Sequence, residues 1–508
     1  MDSDPGRYRF GPLERRGLVA GWRAGQIASM AAGLVVAVLA LRSRTDPVTV
    51  VVAVVAVGVG VAVGCWPIAG RAGDEWLPTV ARWGTASVSG RRRWRSAVPS
   101  TGHRLGAGPG SPGSPAGAAG PAGPAAGPPG RIAGPFAGLH ILEVRTGAVG
   151  GPAGVVHDGR SRTYTAVLEV RGHSFALLGA DDKARRVAGW SAVLSSLARE
   201  RPVVHRLQWL AATLPDDGRA VGAFLADRAV LTPESPARRS YADLLAEVGA
   251  NTCRHEVHLA VQVRSGRGGD AGACAVLDRE VAAIRRALAE ADVSVEGVLG
   301  PRELATLLRR ASQSGPAGPG RIDAGGSAST GSAADGAGSE PWPVALETEW
   351  GRLRTDGTWQ VTYWIAEWPR VEVGPDFLGP LLLGSVRRTV SVVMEPLSPT
   401  RAIRQAEQAR TADVADAELR RRGGFLATAR RAREAELAVR REAELAEGHA
   451  AVRFSGYVTV TAPTVEQLEE ACDATEQAAG QCRLELRRLY GDQERAFTCT
   501  LPLGRGLR

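Results

Sequence analysis

Among 62 lysines and arginines only one is a lysine, Lys183, and it follows Asp181 and Asp182 rather than a glycine-rich turn. A phosphate-binding loop of the form G-x-x-x-x-G-K-[ST] needs a lysine beside backbone N–H groups that cradle the phosphates, so this chain has no such loop. Other spacings that suggest chemistry are thin. His255 and His258 flank Glu256, but positions three apart on a strand face opposite sides, so the imidazoles diverge and no third metal ligand is placed. The H-E-x-x-H spacing of helical zinc proteases is absent. The paired carboxylates Asp181-Asp182 and Asp216-Asp217 sit where a helix cap or first turn would want acid. No G-x-S-x-G lies in a strand-turn-helix setting. Trp359, Tyr363, Trp364 and Trp368 read as sheet packing rather than a base-stacking platform, because basic residues do not interleave with them. The sequence therefore points to no catalytic, cofactor-binding or metal-ligating residue, and to a protein that works through its surfaces.

The elements that must carry those surfaces begin with two apolar stretches. Leu18 to Leu41, with a clean portion from Ile27, and Val48 to Ile68 are each long enough to cross a hydrocarbon core of about 30 Å. The six residues 42–47 between them allow only a tight reversal, so the pair predicts a transmembrane helical hairpin. A signal peptide does not fit, since a second span follows at once. Basic residues crowd the outer flanks (Arg7, Arg9, Arg15, Arg16 and Arg23 before, Arg71, Arg82, Arg91, Arg92, Arg93 and Arg95 after), against Arg42 and Arg44 in the turn. That bias predicts a two-span protein of the cell membrane with both termini cytoplasmic. Trp22, Trp66, Trp76 and Trp83 fit an aromatic belt and a juxtamembrane segment near the headgroups.

The net charge of +9 would suit nucleic acid. The arginines, however, are spread along helices and membrane flanks, so nucleic acid is the less favoured partner. Six cysteines without C-x-x-C spacing read as small buried hydrophobes in a reducing compartment.

Two stretches rich in small residues, glycine and proline, Pro109 to Pro135 and Gln313 to Ser339, read as linkers. The resulting plan is a cytoplasmic N-terminus (1–17), the hairpin (18–70), a juxtamembrane segment and linker (71–138), a first α+β domain (139–312), a second linker (313–341) and a second α+β domain (342–508). In the first domain strands are expected at Leu139–Val144, Tyr164–Val170, Val203–Leu210 and His255–Val263, and helices at Asp181–Arg199, Ser240–Val248, Ala275–Ala289 and Arg302–Ala311. The second should open with a hairpin of Val344–Trp350 and Thr358–Trp368 turning on Asp356-Gly357, followed by strands Val386–Met394, Phe454–Ala462 and Leu484–Arg488, with a helix at Thr464–Gly480. Both domains are expected to be ferredoxin-like.

Within the second domain, residues 400–449 predict an arm. Thr400–Arg422 and Ala427–His449 are two charge-dense helices joined at Gly423-Gly424, where paired glycines end a helix. Interspersed arginine and glutamate suit a solvated, self-paired surface or a docking arm. The residues expected to touch a partner are Arg420, Arg421, Arg422 and Phe425 near its tip, with Pro502, Leu503 and Arg505 of the terminal segment.

Several runs carry a resemblance: Val392-Val393-Met394-Glu395-Pro396-Leu397-Ser398-Pro399, Phe454 to Ala462, Leu484 to Gln493, Leu501 to Leu507, His205 to Pro215, and Tyr8-Arg9-Phe10-Gly11. Together they resemble an actinobacterial family of integral membrane proteins, the SCO-type family, encoded beside conjugation-type ATPases. The resemblance implies a type IV secretion-like two-span subunit fused to a domain similar to the N-terminal part of the conjugation ATPase. It further implies a non-catalytic scaffold that positions a separate ATPase at the inner membrane face, as an oligomer among other secretion membrane subunits and without a cofactor. The membrane subunit of type VII (ESX) secretion, with a two-span anchor and a cytoplasmic α+β domain, is the alternative. A DNA-contacting conjugation component, supported only by the arginine excess, is a second.

Overall fold

In the computed structural model the described residues are 24–43, 46–65, 67–68, 71–95, 134–145, 151–171, 175–216, 227–228, 235–249, 253–266, 268–313, 341–422, 429–447 and 449–506. Both linker cores, 109–133 and 314–340, and Phe425 lie outside them.

Helices α1 (Ala24–Ser43) and α2 (Pro47–Cys65) are each long and apolar enough to cross a membrane. They pack against each other along a seam of small side chains. A Cβ on Gly33 would lie 2.7 Å from the Ala56 carbonyl oxygen, and one on Gly60 would lie 2.8 Å from that of Ser29. Ala37 and Ala53 are buried on the same seam. Close backbone approach at small residues is how apolar helices associate when lipid leaves no hydrophobic driving force between them. A two-residue strand pair, β1 (Pro67–Ile68) with β2 (Arg71–Ala72), leads into α3 (Gly73–Val88) and the short β3 (Arg93–Arg95).

The rest is α+β around one large sheet. Its strands are β4 (Leu139–Arg145), β5 (Pro152–Asp158), β6 (Thr163–Arg171), β7 (Val204–Pro215), β8 (Cys253–Arg264), β9 (Ser294–Val298), β10 (Ala345–Thr348), β11 (Leu353–Thr355), β12 (Thr358–Glu367), β13 (Arg388–Pro396), β14 (Val452–Ala462) and β15 (Glu485–Arg488). With β3 they form a 13-stranded sheet in the order β3-β10-β11-β12-β14-β13-β7-β8-β6-β5-β4, while β15 joins β12 and β9 joins β6. Every pairing is antiparallel.

Two consequences follow from that order. Residues before and after the second linker share a single sheet, because β7 pairs with β13 from Leu207↔Met394 to Thr213↔Arg388. The boundary expected at 313–341 is thus one of sequence only. Each side also repeats one plan: β9-β6-β8-β7 and β15-β12-β14-β13 are the same fourth-first-third-second order. Two such sets meeting at an antiparallel β7·β13 pair are related by a local dyad normal to the sheet.

Helices α4 (Ala180–Leu197), α5 (Pro236–Gly249), α6 (Gly269–Glu290) and α7 (Pro301–Arg310) belong to the first half. The second half holds α8 (Pro399–Arg422), α9 (Ala429–Ala446), α10 (Val465–Gln481) and α11 (Gln493–Phe497). One sheet face is covered by α4 and α6, whose Val193, Leu277 and Ile284 pack on Leu168, Leu259 and Val261, and by α10, whose Leu468 and Cys472 pack on Val361, Tyr363 and Val458. The other face is covered by α7 and the chain terminus: Leu304, Leu308, Phe497, Leu501 and Leu503 share a cluster with Val156, Val167, Leu210 and Ala260.

Local chemistry explains most elements and several departures. Asp181 and Asp182 lie in the first turn of α4 rather than capping it, the cap position being Gly179; there they oppose the positive end of the helix dipole. Asp356 and Gly357 turn the chain at φ 43° and 90°, as an Asp-Gly hairpin turn requires. The strand across that turn from β12 is however β11, with β10 one place further out. Strands β3, β5 and β9 fall outside the expected set; β3 and β9 are short and paired by partners distant in sequence, whereas β5 forms a local meander with its chain neighbours β4 and β6.

Candidate partner-binding surfaces

The clearest constructed junction lies where the apolar helices meet the sheet. A Cβ on Gly73 would sit 2.5 Å from the Val63 carbonyl oxygen, so α3 starts against the last turns of α2. Trp76 stacks on Trp350 with centroids 5.7 Å apart, Trp83 meets the same ring edge-on at 5.3 Å, and Tyr490 lies 6.4 Å from Trp76. Arg82 pairs with Asp492 at 3.1 Å, and Thr79 is buried between them. Beyond α3, Arg93 pairs with Glu347 at 2.7 Å as β3 joins the sheet edge. Trp76 and Trp83, expected near the headgroups, direct their rings onto Trp350 of the sheet-bearing body. Trp22 and Trp66 lie outside the described residues.

The arm projects from between β13 and β14. At its root Leu397, Ala402, Leu445 and Ala451 form a separate small cluster, and the Leu397 N–H donates to the Ala451 carbonyl at 3.0 Å. Arg410 and Glu442 bridge the two helices at 2.7 Å. Arg421 and Arg422, both exposed, pair with Glu418 of their own helix at 2.9 and 3.0 Å. Arg420 belongs to α8, while Phe425 lies outside the described residues. Arg421 and Arg422 are therefore presented to solvent with a carboxylate between them.

The terminal segment behaves differently. Pro502 and Leu503 are buried, and Arg505 donates to the Pro135 carbonyl at 2.6 Å and to Asp158 at 2.7 Å. Burial would raise the Asp158 carboxyl, but the Arg505 guanidinium holds it below the usual range. Side chains from both halves of the sheet bind the segment's backbone. Gln208 donates to the carbonyls of Cys499 (3.0 Å) and Leu501 (2.9 Å) and accepts from Gly504 N–H (2.7 Å); Gln262 donates to Leu503 O (2.7 Å), and Arg206 to Gly504 O (2.8 Å). Ser391, from the other half, donates to Cys499 O at 2.8 Å. Gly504, at φ +61°, leaves no room for a Cβ, which would meet the Gln262 amide at 2.6 Å. The expectation of partner contacts at Pro502, Leu503 and Arg505 is corrected: these residues close the fold across the two halves.

No family model and no curated protein matches this chain.

Of the residues with chemical promise, the histidines are separated as strand geometry requires. His255 Nδ1 lies 3.3 Å from Thr213 Oγ1 on one face, and His258 is buried on the other. Burial pushes the His258 imidazole down to about 4. Beside it Glu256 pairs with Arg310 and Arg254; these guanidiniums overcome its burial and hold its carboxyl low. Glu169, across from His258, is raised by burial and by Glu256. This cluster anchors the end of α7: Arg387 donates to Arg310 O at 2.9 Å, and Thr355 and Thr358 donate to Ser312 O at 3.1 and 2.9 Å. Terminal helix carbonyls of the first half thus find donors in the second.

Lys183 pairs with Asp376 at 3.1 Å, another contact between halves. Along β12, Tyr363 is buried in the core and Trp364 donates to Ser455 at 3.1 Å; Arg352 and Arg354 lie over Trp359, so its basic neighbours come from across the β11 turn. Asp216 follows β7, and Asp217 lies outside the described residues. Five cysteines are free thiols, four of them buried, and burial raises that of Cys472 to about 11. Among the described residues no three His, Cys, Asp or Glu side chains gather as a metal-holding group.

Proposed function

We propose that this chain is a non-catalytic membrane scaffold subunit of a secretion apparatus, which positions a separate ATPase at the cytoplasmic face of the cell membrane. In this reading α1 and α2 are its two spans, both termini are cytoplasmic, and the arm is the docking element. The carrying observation is the junction: an apolar helix pair joined through α3 and Trp350 to a sheet from which a charged helical hairpin projects. Such an anchor, body and arm transmit position rather than make bonds.

The shared strand order of the halves supports a ferredoxin-like reading of each, fused edge to edge through β7 and β13. That arrangement favours the type VII membrane subunit over a type IV-like fusion. A two-span subunit joined to an ATPase-derived domain would consist of two unlike pieces, whereas here two like halves make one body.

The test is deletion of Arg401 to Glu447. Leu397 and Ala451 are hydrogen-bonded backbone neighbours at the root, so the cut ends lie side by side. The shortened protein should remain in the membrane fraction and lose co-purification with the ATPase; unchanged co-purification sinks the docking role. Salt-sensitive DNA binding by the intact protein would instead favour a DNA-contacting component.

A further inference from the structure

Helix α3 is apolar on two faces, and only one is occupied inside the molecule. Trp76, Thr79 and Trp83 turn toward Trp350, Tyr490 and Asp492. On another face, at positions 77, 80, 81, 84 and 88, lie Leu77 (59% exposed), Val80 (51%), Ala81, Gly84 and Val88 (91%). Steps of three and four residues keep these on a single stripe of the helix. The stripe runs most of the length of a 16-residue helix, about 24 Å.

We infer that this outer stripe rests in the lipid surface, with α3 lying along the bilayer between the acyl boundary and the sheet. The proposal rests on the membrane-spanning reading of α1 and α2. Three observations single out lipid as the occupant. The helix begins in backbone contact with Val63 of α2, so the stripe starts beside the end of an apolar helix long enough to span a bilayer. A separate side of the helix, about a third of a turn round, is already clamped by the body, and the stripe itself stays exposed. Arg91 follows the helix and is exposed where anionic headgroups would meet it, while its exposed neighbours Arg92 and Arg93 turn to Trp83 and Glu347. Lipid contact on one side and the Trp350 clamp on the other would then fix the attitude of the whole sheet to the membrane.

The experiment places a photo-crosslinking residue singly at Leu77, Val80, Val88, Val54 and Val371 in the full chain, in nanodiscs of phosphatidylglycerol and phosphatidylcholine. Val54 lies on the outer surface of α2 and Val371 on the cytoplasmic body, and both are exposed. Lipid adducts at Leu77, Val80 and Val88 matching those at Val54, with only background at Val371, support the proposal. Lipid adducts at Val54 with background at all three α3 positions overturn it while leaving the spans intact. Adducts to a second protein copy at those positions overturn it in favour of self-contact. Background at Val54 itself overturns the spanning reading, and this proposal with it.

Discussion

Gln208 is buried in the middle of the sheet and satisfies four groups at once: two carbonyls and an N–H of the terminal segment, and the Ser391 hydroxyl. Replacement by alanine orphans the buried Gly504 N–H, strips one bond each from the Cys499 and Leu501 carbonyls, which keep the Ser391 hydroxyl and the Leu503 N–H, and leaves a cavity. Because each orphaned buried polar group costs about 1–3 kcal/mol, Gln208→Ala should destabilise the protein by roughly 2–4 kcal/mol and free the segment from Thr498 onward for proteolysis. Denaturant unfolding followed by tryptophan fluorescence measures the first, carboxypeptidase digestion the second. An unchanged midpoint would mean that the strap does not hold the halves. His258 gives a pH prediction of definite sign. Its folded pKa of about 4 lies below the ordinary 6.5, so the unfolded chain binds the extra proton between those values. Stability from this group is complete above pH 6.5 and declines as pH falls toward 4, by up to about 3 kcal/mol. His258→Gln should flatten the pH dependence of the unfolding midpoint in that window; an identical slope would show that His258 is not the buried neutral base.

At the scale of elements, α3 couples the apolar helix pair to the body through rings rather than through backbone pairing. Trp350 contacts both Trp76 and Trp83, and aromatic pairs contribute about 0.5–1.5 kcal/mol each beyond their burial. Trp350→Ala should therefore loosen 73–95 while the sheet core stays folded. Trypsin cleavage at Arg82 and Arg91 should rise about tenfold, as expected when local opening becomes easier by about 1.4 kcal/mol. Equal rates in both proteins would show that Arg82 with Asp492, and β3 with β10, suffice. The arm makes the opposite case. Its root has a small apolar cluster of its own, while its length is held by ion pairs such as Arg410 with Glu442, exposed enough that each is worth little.

Considered whole, the part that follows the apolar helices is one sheet assembled from two like halves. Seven consecutive residue pairs join β7 to β13, the terminal strap crosses the join, and α7 of the first half ends among donors of the second. A protease site placed within 314–340 should therefore yield two fragments that co-elute until denatured, and the uncut protein should unfold in one cooperative transition across the sheet. Separate elution of the fragments after cutting would restore two independent domains.

Periodicity and turn chemistry determined much of this from the chain alone. The apolar helices, most of the long strands, α4, α6, α7 and α10, the arm and the Asp356-Gly357 turn all depend on residues close in sequence, where a local pattern carries the signal. Only the tertiary structure decided which strands became neighbours, because β7 and β13 lie some 180 residues apart and nothing in either names the other. The same holds for the strap. Pro502, Leu503 and Arg505 look in sequence like a tail available to partners, yet Pro502 and Leu503 are buried, and Gln262 and Asp158 hold Leu503 and Arg505 once the sheet has formed. Burial depends on contacts across hundreds of residues, and a sequence pattern reports only the few around each position.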